Sequence, residues 1–412
     1  MIENFDKMIG GSLQLKEPWY VSGAEFKEEE PAIHIYVKVR ERARISCPIC
    51  GEKTKRYGYE TEERKWRHGD CMFYQTYVHC RRPKVLCPHC GVKQISAPFE
   101  RANSRFTLMF EGYAMLLAAN MPRSKVAKAL RCDEKSIKKI VIYWVEKADN
   151  ERNLSNTKSI AIDETSFKKG HEYVTLIIDS DQRAVIDVEP GRDKKTVETF
   201  AEKLENKGGK CDDIVSVTSD MSSAFLNAVD EKFKNAVHVI DKFHVKQMLL
   251  HALDDVRKEE QKNSKQKQAL FRGRRLFMIP KNRMTDKQKS KLAELSSLYP
   301  KTGRAYRIVS AFDDMYSAKS PEEAKVLFDS LYSWMRHSRL EPMKQCAESL
   351  KKHEKKILNY FSNPVTNAIC EGINSMVQSA KRRARGFHTY RGFASAIYLV
   401  AGKLKLSVTC PI

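Results

Sequence analysis

The sequence predicts an α/β protein in which a core of alternating strands and helices is interrupted by a long α-helical insertion and preceded by two small modules. Three observations support this prediction. Short β-branched runs alternate with helical stretches over 159–241, helical periodicity continues alone over 246–355, and a β-rich segment with paired cysteines occupies the first 100 residues. Each pattern is typical of a different kind of module. A chain of 412 residues is also longer than one typical domain.

The composition indicates the kind of partner. The formal net charge is +22 at pH 7, which is typical of a protein that binds a polyanion. No stretch approaches the roughly 20 apolar residues of a membrane-spanning helix, and the first residues, MIENFDK, do not resemble a secretory signal. We therefore expect a cytoplasmic protein with access to the chromosome and no membrane partner.

Two Cys-Pro-x-Cys-Gly motifs predict a structural zinc site. Each CxxC turn supplies two thiolates, and tetrahedral zinc takes four. Because all four ligands come from the protein, the zinc is expected to be structural. The alternative is two unrelated pairs of thiols, which the repeated Pro and Gly positions disfavour. The predicted ligands are Cys47, Cys50, Cys87 and Cys90.

A helix-turn-helix is predicted after the β-rich segment. Lys125 to Leu130 and Glu134 to Lys147 are short amphipathic segments separated by three residues, and Ser124 is expected to cap the first helix. Many helix pairs in protein cores share this periodicity, so a buried helix pair is the alternative. The lysines expected to point outward from the second helix are Lys135, Lys138 and Lys139.

The segment 159–241 has the element order β-β-β-α-β-α-β. The strands are predicted at Ser159–Asp163, Tyr173–Asp179, Ala184–Val188, Ile214–Ser219 and Val237–Asp241. This order is that of the ribonuclease H-like fold, in which the first strand is central and carries an acid, and the fourth strand lies beside it and ends in another. Asp163 and Asp220 take these two positions. An aspartate at a strand end is most often only a turn residue, but the joint placement favours a catalytic pair.

A third carboxylate, Glu371, lies on a predicted C-terminal helix. Hard divalent cations take oxygen ligands, and two of them can activate an attacking oxygen and stabilise the leaving oxygen at a phosphodiester. Strand alternation turns Glu164 to the opposite face from Asp163. We therefore expect Asp163, Asp220 and Glu371 to bind two magnesium ions, for which manganese can substitute. Asp241 is a weaker candidate, either at the rim of the site or as the cap of the next helix.

Two basic runs are candidates for DNA contact. Cationic side chains attract phosphates, although a charge run is normally only a solvated face. The run in the zinc module consists of Arg64, Lys65, Trp66, Arg67 and His68. The run after the Glu371 helix consists of Lys381, Arg382, Arg383 and Arg385.

A set of short motifs extends over nearly the whole chain. They include Lys65-Trp66-Arg67-His68, the second cysteine knuckle, Ser104-Arg105-Phe106-Thr107, Ile162-Asp163-Glu164, Ser219-Asp220-Met221, Asp241-Lys-Phe-His244-Val245 and Glu371-Gly372-Ile373-Asn374. Together they resemble the motifs of the ISL-three family of bacterial insertion-sequence transposases. Gly69 and Val377-Gln378 depart from the usual pattern of that family, and neither belongs to the triad of acids.

The resemblance implies a catalytic triad of Asp163, Asp220 and Glu371 in a ribonuclease H-like core. It also implies that the zinc and helix-turn-helix modules bind the terminal inverted repeats of the element, in a bacterial, nucleoid-associated protein. Double-stranded DNA, both the ends and the target, is the expected partner, and holding two ends predicts a homodimer or higher assembly on DNA. The expected domains are a zinc-binding domain at 1–100, a helix-turn-helix at 101–150, a catalytic domain at 155–245 and 356–412, and the helical insertion at 246–355.

Two other functions fit parts of this pattern. One is a catalytically inactive zinc and helix-turn-helix regulator that carries a dead nuclease-like domain, which the intact carboxylates disfavour. The other is a structure-specific nuclease such as a junction resolvase, which uses a similar acidic site. The sequence-reading modules and the helical insertion favour transposition.

Overall fold

The computed structural model describes residues 2–168, 172–264, 267–363 and 368–408. These residues form two compact units. The first contains the chain up to Glu151, the segment Ala380–Val400 and the tail from Leu404, and the second contains Arg152–Ser379 and Ala401–Lys403. No helix of the described ranges has the length and apolar character needed to span a membrane.

The N-terminal region consists of a helix and two four-stranded sheets, which confirms the predicted β-rich module. The elements are α1 Ile2–Ser12, β1 Trp19–Lys27, β2 Ala32–Val39, β3 Arg44–Ser46, β4 Lys53–Tyr59, β5 Arg64–Cys71, β6 Tyr74–Cys80, β7 Pro83–Cys87 and β8 Gly91–Gln94. One sheet has the order β1-β2-β6-β5 and the other has the order β3-β4-β7-β8. The first sheet packs alternate side chains, such as Ile35 and Val78, against Ile9 of α1 and against Leu13, the residue that follows the helix.

The next segment contains three helices. They are α2 Leu108–Asn120, α3 Arg123–Ala129 and α4 Glu134–Asn150. Thr107 and Asp133 cap α2 and α4 by accepting hydrogen bonds from backbone N–H groups. The predicted cap at Ser124 is wrong, because α3 already begins at Arg123 after the extended residue Pro122, and proline is well suited to the start of a helix. The turn to α4 contains Arg131 in a left-handed conformation, with φ 50°.

The second unit is built on a five-stranded sheet of order β11-β10-β9-β12-β13. The strands are β9 Ser159–Lys168, β10 Glu172–Asp179, β11 Ala184–Pro190, β12 Ser216–Ser219 and β13 Val237–Ile240, with helices α5 Lys194–Asn206 and α6 Ser223–Lys232 between them. This confirms the predicted element order. The strand β9 is longer than predicted, because its antiparallel pairing with β10 continues to Lys168. Phe200, Phe225 and Phe233 of the α5 and α6 layer are buried against one face of the sheet.

The segment after the sheet is helical, as predicted. Its α-helices are α7 Lys242–Lys262, α8 Lys267–Gly273, α9 Asp286–Leu298, α10 Pro300–Met315, α11 Pro321–Arg336, α12 Glu341–Lys352 and α13 Glu354–Ser362. They share an apolar core that includes Leu249, Phe312 and Phe328. Asp241 caps α7 by accepting a hydrogen bond from the Phe243 N–H at 2.7 Å. Asp241 therefore caps the next helix, as one of the two predicted alternatives states, and it also follows β13 as Asp220 follows the paired strand β12.

Two further helices are α14 Ala368–Arg383 and α15 Tyr390–Ala401. The predicted catalytic domain includes 356–412 and stays a prediction; within this range, Ala380–Val400 belongs to the first compact unit. The physical reason is an apolar cleft. Phe387 and Leu399 line this cleft together with Ala118 and Val141 of the helix-turn-helix region.

Candidate functional site

Two aspartates lie at the same edge of the five-stranded sheet. Strands β9 and β12 run parallel, with Thr218 paired to Ala161. Asp163 follows Ala161 by two residues in β9, and Asp220 follows Thr218 by two residues, just beyond the end of β12. The Asp220 carboxylate accepts a hydrogen bond from the Ser222 N–H at 2.8 Å, just before α6. The sheet therefore brings together two acids that are far apart in sequence.

The carboxylate of Asp163 is held by two donors. The Glu164 N–H donates to one oxygen at 2.7 Å, and the side-chain amide of Asn374 on α14 donates to the other. Burial raises the pKa of Asp163, the two hydrogen bonds oppose that shift, and the negative charge of Asp220 adds to it. The negative charges of Asp163 and Asp220 at this edge of the sheet are therefore unfavourable unless a cation neutralises them.

The pKa of Glu164 is also affected by burial and by the acids at this edge of the sheet. Burial raises the pKa of Glu164, and the charge of Asp220 adds to the shift. Its carboxylate lies 4.0 Å from the Arg192 guanidinium, whereas Asp163 contacts α14. The two carboxylates therefore have different partners but share Asp220 as a charged neighbour, and the choice of Asp163 over Glu164 stays a prediction.

One face of α14 lies along β9. Asn374 contacts Asp163, and one turn later the Gln378 amide donates to Thr165 Oγ1 at 2.7 Å. Glu371 precedes Asn374 by three residues, so both side chains project from the same face of the helix, and Glu371 is exposed. Neither Asn374 nor Gln378 has a role predicted from the sequence. Their spacing of three and seven residues from Glu371 was the signal that could have found them.

The acids fit a hard cation, although they do not converge in this structure. Within the described ranges, the four zinc-motif cysteines are the only group of three or more His, Cys, Asp or Glu residues whose ligand atoms all lie within 4.8 Å of one another. Asn374 Oδ1 is buried and has no hydrogen-bond partner among the described residues, so it adds an oxygen that could accept at this site. Carboxylate and amide oxygens are the donors that magnesium prefers.

The four cysteines converge on one point between two hairpins. The turn from β3 to β4 carries Cys47 and Cys50, and the turn from β7 to β8 carries Cys87 and Cys90. The Sγ atoms all lie within 4.8 Å of one another, with Cys50 and Cys87 at 3.4 Å. Four protein thiols at this spacing fit a closed, tetrahedral zinc site.

The backbone of the first knuckle favours the thiolate of Cys47. The backbone N–H groups of Cys50 and Ile49 lower the pKa of Cys47 to about 7. Gly51 and Gly91 follow the second cysteine of each pair in the left-handed conformation, with φ 77° and 73°. This conformation explains the glycine after each CxxC, because other residues adopt it less readily.

Three family models match successive parts of the chain. A zinc finger of transposases IS204, IS1001, IS1096 and IS1165 matches residues 43–90, and a helix-turn-helix domain of transposase family ISL3 matches 95–145. A model described as Transposase matches 160–397, which is more than half of the chain. The chain belongs to the ISL3 family of transposases.

Two curated relatives extend the similarity to almost the full length of the transposase. This chain is 25% identical over 413 residues to the transposase for insertion sequence element IS1557 of Mycobacterium tuberculosis (strain CDC 1551 / Oshkosh). The alignment covers 93% of this chain and 92% of the relative. This chain is 24% identical over 388 residues to the transposase for insertion sequence element IS1001 of Bordetella parapertussis, covering 91% and 94%. The family and these relatives identify a DNA-binding transposase.

The basic run of β5 divides by strand position. Trp66 is only 2% exposed and packs edge-on against a phenylalanine ring, while His68 hydrogen-bonds the residue that caps α2. Arg67 is buried and forms an ion pair. These three side chains of the transposase therefore pack or brace the fold, and Arg64 and Lys65 are exposed.

The helix-turn-helix lysines divide in a similar way. Lys135 and Lys139 are exposed on α4. Lys138 is half-buried, because α15 packs beside it. Gly392 of α15 is so close that a β-carbon built onto it would lie 3.8 Å from Lys138 Cε. Lys135 and Lys139 are therefore the more accessible of the three to a ligand.

The basic run after Glu371 ends α14. Lys381 is half-buried, whereas Arg382, Arg383 and Arg385 are exposed. The Arg383 guanidinium donates to the Asn120 carbonyl oxygen at 2.6 Å at the end of α2. This contact adds to the packing of the C-terminal segment on the helix-turn-helix region.

Proposed function

We propose that this transposase cleaves DNA at the ends of an insertion sequence and joins the freed ends to target DNA, with Asp163, Asp220 and Glu371 as its metal-binding triad. The observation that carries the proposal is the parallel register that sets Asp163 beside Asp220, with the Glu371 helix docked along β9. The strand order β11-β10-β9-β12-β13 supports a ribonuclease H-like core.

The chemistry requires two phosphoryl transfers. In the first, a water oxygen attacks the phosphorus at the element boundary and the bond to the 3′ oxygen breaks, which leaves a free 3′-hydroxyl. In the second, this hydroxyl attacks a phosphodiester of the target. Two magnesium ions, or manganese in their place, would supply Lewis acidity to the attacking and leaving oxygens. No covalent protein–DNA intermediate is needed, so no serine or tyrosine nucleophile is required.

The residues of the triad have different tasks in this proposal. Asp163 is the central ligand, and the amide of Asn374 holds one of its oxygens in a fixed orientation. Asp220 contributes from the adjacent strand end and Glu371 from the helix. Orienting ligands through hydrogen bonds from neighbouring side chains is a general property of metal sites.

DNA recognition is assigned to the N-terminal modules. The zinc and helix-turn-helix modules would bind the terminal inverted repeats, with exposed Arg64, Lys65, Lys135 and Lys139 as phosphate contacts. The exposed arginines after Glu371 are proposed to contact DNA as well. Two element ends must be held together, so a homodimer or higher assembly on DNA follows, at the bacterial nucleoid.

A cleavage assay tests this function. Purified protein is incubated with magnesium and a duplex that carries an element end, and the products are examined for a 3′-hydroxyl at the boundary. We expect Asp163→Asn to abolish cleavage and to leave binding of the duplex intact, while the neighbouring Glu164→Gln variant still cleaves.

Three outcomes would contradict parts of the proposal. Wild-type cleavage by the Asp163→Asn variant would contradict the triad. Equal cleavage of random duplexes would favour a general nuclease. Binding of ends by the wild type without any cleavage in magnesium or manganese would favour an inactive regulator.

A further inference from the structure

The hairpin between β5 and β6 ends in an exposed apolar tip. Met72 and Phe73, here called the β5–β6 tip, are 76% and 94% exposed. Both residues have left-handed backbone conformations, with φ 49° and 68°. A side chain makes this conformation unfavourable, and an aromatic ring in water lacks the stabilisation that burial provides. Two unfavourable features at one place indicate a role other than stability.

The tip is fastened to the helix-turn-helix. Asp70, at the base of the hairpin, forms ion pairs with the buried Arg67 of β5 and with Arg131 of the turn between α3 and α4. Arg131 Nε donates to Asp70 at 3.0 Å, and its Nη2 donates to the Phe73 carbonyl oxygen at 2.6 Å. The tip is therefore tied directly to the turn that precedes α4.

The surroundings of the tip are cationic. Arg131 is partly exposed, and Lys128 and Lys135 on either side of the turn are exposed as well. Arg105 is exposed and accepts a backbone hydrogen bond from Arg67 at 2.8 Å. An apolar tip next to cationic side chains suits DNA, which offers stacked bases between negatively charged phosphates.

We propose that the β5–β6 tip is an apolar wedge that inserts at a base step of the DNA held by the helix-turn-helix. In such motifs the N-terminal residues of the second helix contact base edges in the major groove, and α4 begins three residues after Arg131. In proteins that bind the minor groove, phenylalanine and methionine wedges partly unstack a base step and bend the duplex by about 20–90°. This inference rests on the proposed binding of element ends, but not on the triad or on cleavage.

The wedge can be tested with full-length protein and an end-bearing duplex. Two signals are measured, the fluorescence of 2-aminopurine placed at successive positions and energy transfer between dyes at the duplex ends. We expect the wild type to raise 2-aminopurine fluorescence at one step and to bend the duplex. Phe73→Ala is expected to remove both signals and to weaken binding about tenfold, the scale of a lost aromatic–base contact.

Two further variants separate the wedge from folding. Phe26 on β1 is 48% exposed, and its ring meets the Tyr74 ring edge-on at a centroid distance of 4.8 Å. Phe26→Ala also removes an exposed aromatic ring, but this variant is expected to keep both DNA signals. The double variant Met72→Asn/Phe73→Gly carries residues suited to left-handed turns. This double variant is expected to keep or raise the unfolding temperature and to lose both signals.

Each remaining outcome would contradict the wedge in a different way. Phe73→Ala that still unstacks and bends the bound duplex would contradict the wedge alone. Sedimentation in the absence of DNA compares the oligomeric states of the wild type and of Phe73→Ala. If these states differ while both DNA signals are unchanged, the tip contacts a second copy of the protein instead of DNA. Failure of the wild type to bind any end-bearing duplex would contradict both the wedge and the proposed end recognition.

Discussion

The zinc-motif cysteines and the acidic triad are two proposed metal centres that differ in how the chain assembles them. Each cysteine pair lies in one hairpin turn, and the hairpins adjoin through the pairing of β4 with β7. The acids come from a strand, a strand end and a helix. The thiol ligand atoms lie within 4.8 Å of one another, whereas the acids do not form such a cluster.

This difference agrees with the two tasks. A closed site of four protein ligands stabilises a fold, whereas a catalytic site must leave room for substrate. Thiols can be neutral before a metal binds, but neighbouring carboxylates raise one another's pKa and repel. Loss of a ligand should therefore affect stability at the cysteines and activity at the acids.

The largest effect is expected from Cys87→Ser. Structural zinc sites in small modules bind with apparent free energies of about 10–16 kcal/mol, and most of that energy supports folding. The variant should lose its zinc, as measured by metal analysis, and its N-terminal module should become sensitive to protease. Cys71→Ser, which alters a half-buried cysteine outside the cluster, should keep its zinc. Full zinc content in Cys87→Ser would contradict the assignment.

Glu371→Gln should show the opposite behaviour. Because Glu371 is exposed, the substitution should change the unfolding free energy of the protein by less than about 0.5 kcal/mol. End cleavage should fall about a thousandfold, which corresponds to a loss of roughly 4 kcal/mol of transition-state stabilisation. Glu341→Gln, an exposed glutamate at the start of α12, is the matched control and should cleave normally. A destabilised variant that still cleaves would contradict the contrast.

Asn374→Ala should have an intermediate effect. Removing a residue that orients a metal ligand typically lowers metal affinity or activity 10–100-fold, and Asn374 donates directly to Asp163. We expect the magnesium concentration that gives half-maximal cleavage to rise. Ser375→Ala changes the next, exposed residue of α14 and should leave that concentration unchanged. An unchanged magnesium dependence in Asn374→Ala would remove Asn374 from the site.

The smallest effect is expected on α4, away from both metal centres. Lys135→Ala and Lys139→Ala should each weaken end binding a few-fold, and each should reduce the salt dependence of binding by about one phosphate contact. Lys138→Ala should change binding less, because Lys138 is half-buried beside α15. Fluorescence anisotropy titrations at several salt concentrations measure these differences. A larger loss for Lys138 than for Lys135 would reverse the assignment.

Local patterns allowed much of the fold to be predicted. The repeated Cys-Pro-x-Cys-Gly motif specifies a knuckle because thiols, proline and left-handed glycine act within five residues. The order β-β-β-α-β-α-β could be read from alternation and helical periodicity, which depend on near neighbours. The cap of α3 was predicted at Ser124 but lies at Pro122, because both residues suit a helix start and position alone does not choose between them.

The sequence by itself determined the chemistry available to this transposase: soft ligands in one module, acids on two strands and a helix in another, and an excess of positive charge. Only the tertiary structure decided which side chains share a surface. It buried Trp66 and His68, placed Asn374 on Asp163, and tied the exposed Phe73 tip to the helix-turn-helix. The physical reason is that these contacts join residues distant in sequence. Sheet register and the choice of packing face decide them, and a one-dimensional pattern specifies neither.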